Sequence, residues 1–129
     1  MRARLAALLL ALTLSACGFG MKDTDIPGVY HAARGVASET LTLYSDNTYL
    51  HEWSVNGQEG RATGGWRIHM LGYGFAQIRV LNYRDRIDPD AREPGDWDTD
   101  VRRSSPWDTP RIQINAAMDL YYVKDRAAR

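Results

Sequence analysis

Residues 40–58 decide the fold: Thr40-Leu41-Thr42-Leu43-Tyr44-Ser45-Asp46-Asn47-Thr48-Tyr49-Leu50-His51-Glu52-Trp53-Ser54-Val55-Asn56-Gly57-Gln58. Two alternating runs flank Ser45-Asp46-Asn47, and a second turn follows at Asn56-Gly57. A three-residue loop with Asn47 left-handed is a common hairpin connection. It pairs Tyr44 with Thr48, Leu43 with Tyr49 and Leu41 with His51. One face then carries Leu41, Leu43, Tyr49, His51 and Trp53. A two-residue loop would set Leu41 against Glu52 and scramble both faces, and a one-residue slip is costly wherever one face is buried. Asn-Gly is the strongest short-range hairpin signal. It pairs Val55 with Gln58, Trp53 with Gly60, His51 with Ala62 and Tyr49 with Gly64. Large residues thus oppose small ones on the inward face, while Glu52 meets Arg61 on the outer face. Both hairpins agree on which face is core.

Working outward, Trp66 and Ile68 continue the inward face, and Arg67 and His69 point out. A turn at Leu71-Gly72-Tyr73-Gly74 leads to a strand over 75–81. Residues 111–115 and 120–124 read as two more strands around Ala117-Met118-Asp119, and Val29-Tyr30-His31 as the first. The expected fold is all-β: an antiparallel meander of about seven strands forming a small barrel, closed or incomplete, with one long loop over 84–110. Closure would remove exposed strand edges. The stretches Gly28-Val29-Tyr30, Glu39 to Leu43, Asp46-Asn47-Thr48-Tyr49, Gly64-Gly65-Trp66-Arg67-Ile68 and Asp119 to Lys124 resemble the small lipocalin-like barrels of many bacterial lipoproteins, with Asn47 in place of the usual Gly. The resemblance covers about half the chain and implies a fold, not a chemistry.

The first seventeen residues carry a second signal. Arg2 and Arg4 precede an apolar run from Leu5 to Leu14, then Ser15-Ala16-Cys17. A basic start, a short apolar stretch and small residues before a cut describe a secretory signal peptide. The run is half the roughly 20 residues a spanning helix needs. With Cys17 directly after the small residues, the segment resembles a bacterial lipoprotein signal. That resemblance implies cleavage after Ala16, acylation of Cys17 and anchoring to a lipid bilayer. Gly18 in place of Asp implies the outer membrane of a Gram-negative envelope, facing the periplasm. The domains read as a signal peptide over 1–16, a lipidated tether over 17–27 and a single β domain over 28–126.

Removing residues 1–16 from the 129-residue chain leaves enough for one domain. Cys17 is the only cysteine, so lipidation leaves no thiol for a disulfide, a nucleophile or a Cys metal site. The leader holds two of the sixteen basic residues, against sixteen acidic ones in all. The remainder is weakly acidic, with no basic excess to bind nucleic acid. Four tryptophans and seven tyrosines supply an aromatic core.

Residues 84–110 hold five Arg, seven Asp and one Glu. A structureless loop of that length is uncommon in a compact domain and usually functional or disordered, and Trp97 and Trp107 argue against disorder. The bland reading is a surface excursion whose tryptophans cap the barrel. The functional reading is a ligand- or partner-binding loop using Trp97, Trp107, Arg102, Arg103 and Asp98, because exposed Trp and Arg are favoured interface anchors. Asp96-Trp97-Asp98-Thr99-Asp100 has the alternating carboxylates that begin an EF-hand loop, but Val101 and Trp107 stand where that loop needs Gly and Glu. The acids are expected to pair with Arg92, Arg102 and Arg103 or to face water, and no metal or other cofactor is expected.

No nucleophile elbow, phosphate loop or zinc spacing occurs. His31, His51 and His69 cannot line one site from these strands, and His51 reads as a satisfied core histidine. Glu39, opposite Trp53, sits at an aromatic mouth where a carboxyl's pKa would rise, although a rim carboxylate in water is the commoner outcome. The chain is therefore read as a non-enzymatic envelope binding module with a protein partner, one version being an inhibitor or immunity protein. The alternative is a carrier of a small apolar ligand, for which about eight strands are the minimum.

Overall fold

The computed structural model describes residues 20–87 and 94–126. The signal segment, Cys17 and Arg92 lie outside them. Eight antiparallel strands run in chain order: β1 Gly28–Arg34, β2 Ala37–Leu43, β3 Thr48–Val55, β4 Gln58–Leu71, β5 Phe75–Tyr83, β6 Gly95–Arg102, β7 Arg111–Asn115 and β8 Leu120–Lys124. Each bonds to the next and β8 returns to β1, so the barrel is closed. The all-β meander is as expected, but the count is eight and the barrel is complete.

The additional strand is β6, from within the segment read as one long loop. It pairs with β5 from Phe75↔Arg102 to Tyr83↔Gly95, and with β7 through Val101↔Ile112 and Arg102↔Arg111. The segment 84–110 therefore contributes a piece of wall between two shorter connections. The physical reason is alternation: Val101 is buried and Trp97 half-buried, while Asp96 and Asp98 face solvent.

Both early hairpins have the expected register. Leu41 lies opposite His51 and Leu43 opposite Tyr49. Trp53 faces Gly60, His51 faces Ala62, Tyr49 faces Gly64 and Glu52 faces Arg61. Asn47 is left-handed at φ 68°, and Asp46 Oδ1 accepts the Thr48 N–H at 3.0 Å. Trp66 ties the turn down: its indole N–H donates to Tyr44 O at 3.0 Å and its backbone N–H to Asn47 O at 2.9 Å. Asn56 and Gly57 are both left-handed, as a type I′ turn demands.

Tyr30, Leu41, Leu43, Tyr49, Ile78, Val80, Val101, Ile112 and Tyr122 fill the interior. An eight-stranded barrel is just wide enough to be filled this way. The up-and-down topology gives the barrel two distinct ends. At the proximal end lie residues 44–47, 72–74 and 103–110 and the entry of the N-terminal segment. At the distal end lie residues 35–36, 56–57, 84–87 and 116–119. Within the expected tether, residues 20–27 are packed against the proximal end. Ile26 is fully buried, and the Tyr30 hydroxyl donates to its carbonyl at 2.6 Å. The Met21 N–H donates to Gly72 O at 3.0 Å, Gly20 bridges Tyr73, and Lys124 Nζ donates to Asp25 O at 2.7 Å.

The glycines opposite the rings give a direct test of this packing. A Cβ on Gly64 would meet the Tyr49 ring at 2.6 Å, whereas one on the adjacent Gly65 finds its nearest neighbours at 3.6 Å. Gly64→Ala should cost about 1–3 kcal/mol by overpacking, and Gly65→Ala well under 1 kcal/mol. Chemical denaturation of the two variants checks this, and equal losses would refute the large-against-small account.

Candidate functional site

The sequence places only one carboxylate on the inward face of the first two hairpins, Glu39. It is 2% exposed, and His51 beside it is also 2% exposed. β2 and β3 bring them together: His51 Nε2 lies 2.8 Å from Glu39 Oε1. The same oxygen accepts the Arg86 backbone N–H at 2.6 Å, and Oε2 accepts the Tyr122 hydroxyl at 3.0 Å. Tyr122 and Tyr83 are joined hydroxyl to hydroxyl. Asp85, whose Oδ1 accepts the Ile87 N–H at 2.7 Å, stands in the same strap.

Aromatic rings wall this cluster. His51 lies 4.9 Å from both the Trp53 and the Tyr83 rings. Tyr83 stacks on Trp97 at 4.6 Å. The Arg86 guanidinium sits 4.3 Å over the Trp53 ring, a cation–π contact at the distal rim. Residues 84–87 thus form a strap across the distal end, held by one backbone bond to Glu39, one stacked cation and the buried side chain of Ile87.

Burial dominates the electrostatics. Removal from water raises the Glu39 pKa, against the lowering effects of the Asp85, Arg86 N–H and Tyr122 hydrogen bonds and of the Arg86 charge. Burial likewise lowers His51 to about 4, opposed by Asp85 and assisted by Arg86. His51 is therefore a neutral ring at pH 7. Desolvation pushes both tyrosine hydroxyls well above their ordinary range, so they remain hydrogen-bond donors. The cluster is a connected set of hydrogen bonds closed off behind the strap.

The residues singled out in 84–110 do not form one surface. Trp97 faces the distal interior against Tyr83. Asp98 lies on the outer wall, where Arg79 grips it through Nε at 2.6 Å and a second nitrogen at 2.9 Å. Arg102 holds Asp100 at 2.8 Å. Arg103 reaches Asp25 at 3.6 Å on the proximal plug. Trp107 is 82% exposed at the proximal end. The alternating acids are thus strand residues and not a cation-binding loop. Among the described residues no cluster of His, Cys, Asp and Glu is arranged to hold a metal.

His51 is the satisfied core histidine expected. His31 lies outside, bridging Asp125 at 2.7 Å and Thr40 at 3.0 Å, and His69 faces solvent. Glu39 is the correction: it is sealed and hydrogen-bonded, not a rim carboxylate in water. Tyr83, Asp85, Arg86 and Tyr122 were not legible as site residues. The alternation Ala76, Ile78, Val80 would turn Tyr83 outward, but an irregularity after Val80, with Asn82 left-handed at φ 51°, turns it in. A left-handed Asn is the one local signal for it.

The pair makes opposed contributions to pH-dependent stability. His51 binds its proton less readily folded than unfolded, so stability is lost as pH falls from about 6.5 toward 4. Glu39 binds its proton more readily folded, so stability is lost as pH rises above its unfolded value. His51→Gln removes only the first effect. Relative to wild type, the variant should gain on the order of 3 kcal/mol between pH 6.5 and 4. Parallel urea melts across that range check it, and a constant difference would overturn the assignment.

No protein family, curated protein or solved structure matches this chain.

Proposed function

We propose that the chain is a lipid-anchored envelope protein that acts as a non-enzymatic binding module, engaging a protein partner through the distal rim of its barrel. The observation that carries this reading is the Arg86–Trp53 stack. Arg86 Nε is buried there without a hydrogen-bond partner among the described residues. An arginine held over a tryptophan at a rim has the composition of an interface anchor. On the outer wall behind Trp53, Glu52, Glu59 and Ser54 line a cleft of about 290 Å³. The acids suit a basic group on a partner, and blocking a secreted toxin or a lysozyme-type enzyme is one version of the role.

Carriage of a small apolar ligand is the second reading. Eight closed strands favour it by count, since this is the size at which such barrels begin to hold a ligand. The filled interior favours the rim instead, because a ligand would have to displace fully buried Tyr30, Tyr49 or Tyr122.

Anchoring rests on Cys17 and its leader. No helix among the described residues is long and apolar enough to cross a membrane, and acyl chains would supply a stable hold instead. Expression in a Gram-negative host with labelled palmitate should place label and protein in the membrane fraction, and Cys17→Ser should lose both. Arg86→Ala keeps the backbone bond to Glu39 and removes the stacked cation. It should cost only about 1 kcal/mol of stability while lowering partner capture from envelope extract roughly tenfold. An unchanged set of captured proteins would remove the rim from the interface.

A further inference from the structure

Seven large apolar side chains stand exposed among the described residues, and five of them gather at one end. Tyr44 opens the β2–β3 turn. Met70 and Leu71 end β4, and Tyr73 lies in the turn after it, 69% exposed. Trp107, the most exposed of all, lies in the β6–β7 connection. The Arg103 N–H donates to Gly74 O at 2.8 Å, so that connection is fastened to the β4–β5 turn. Of the other two, Val36 sits in the β1–β2 turn and Val123 on the outer wall. Isolated apolar residues on a surface need no explanation, but a gathered tip rich in Tyr and Trp does.

Two further observations say what covers this tip. The first is where the chain enters. Gly20 is bridged to Tyr73 itself, and Cys17 stands three residues earlier. Three peptide steps reach at most about 11 Å, whatever their conformation, so an anchor at Cys17 must lie within that distance of Gly20, the partner of Tyr73. The second is charge. Beside Trp107, Arg102, Arg111 and Arg126 line a cleft of about 380 Å³ with Tyr121 and one acid, Asp108. Clustered arginines next to interfacial aromatics match the phosphates and the headgroup layer of a bilayer.

We infer that the proximal end is a bilayer-docking face, at which Tyr73, Leu71 and Trp107 enter the headgroup layer while Arg102, Arg111 and Arg126 meet lipid phosphates. The inference deepens the proposed anchoring and rests on it for the short distance. Docking would fix orientation as well as attachment: the distal rim, with Arg86 and Trp53, would face away from the membrane.

The experiment uses the full chain made with its leader, purified in detergent and returned to phosphatidylcholine–phosphatidylglycerol vesicles containing brominated lipid. Mass spectrometry of the purified chain reports acylation of Cys17 on its own, and so tests the anchoring separately. The difference in emission between wild type and Trp107→Phe isolates Trp107 from the other three tryptophans. Brominated lipid should quench that component about twofold or more. A Trp107 component open to aqueous iodide and untouched by brominated lipid overturns the docking face, even where Cys17 is acylated. Where Cys17 carries no acyl chain, the same vesicles are offered to the protein from solution. Flotation that falls about tenfold in the Tyr73→Ser, Trp107→Ser double variant supports the face. Flotation that is absent, or unchanged by those substitutions, overturns it.

Discussion

A carboxyl group taken out of water must be hydrogen-bonded, and at Glu39 that demand organises one whole end of the barrel. Five elements answer it. β2 carries the carboxyl and β3 supplies His51, while β8 brings Tyr122. Tyr83 from β5 closes the chain of hydroxyls. The strap then lays the Arg86 N–H on the remaining position. Apart from Glu39 and His51 on one hairpin and Tyr83 and Arg86 three residues apart, the members are distant in sequence, so the network is complete only when the barrel closes. It acts as a check on closure: a misregistered strand would leave a buried polar group unpaired, at a cost of roughly 1–3 kcal/mol for each.

The opposite end is built differently. There an apolar plug, Met21 and Ile26, is pressed in from the N-terminal segment, and the ties are single hydrogen bonds from Tyr30, Lys124 and Met21. The barrel is thus polar and cross-linked at one mouth, greasy and plugged at the other, with tyrosine and aliphatic side chains between. That polarity is what gives the two ends different candidate tasks.

Legibility followed the same division. The hairpins from Thr40 to Gly64 could be read to the residue, because two turns with distinct chemistry and a large-against-small pattern all specify one register. Glu39 could be placed inward opposite Trp53 from that register alone, but its sealing could not, because the group that seals it comes from residue 86. β6 carries the alternation of a strand in Asp96 to Val101, yet aspartate is depleted in strands, and the surrounding prolines and charges made the segment read as a loop. The acids are tolerated there because they face solvent and Arg79 on the neighbouring strand. Tyr83 was hidden by a bulge, which a parity argument cannot foresee.

The wall is also unevenly sewn. β8 meets β1 at two paired positions, Tyr30↔Lys124 and His31↔Val123, and β6 meets β7 at two, Val101↔Ile112 and Arg102↔Arg111. Elsewhere the ladders run to between four and eight pairs. The β7–β8 hairpin is therefore a panel hung between two short seams, and partial opening starts from regions with the fewest ties. Because that panel carries Tyr122, swinging it clear would break the hydroxyl link to Glu39 and admit water to the carboxyl from the side, with the strap still in place. The two short seams beside Tyr122 thus make the wall, and not the mouth alone, a place where water would reach the barrel's interior.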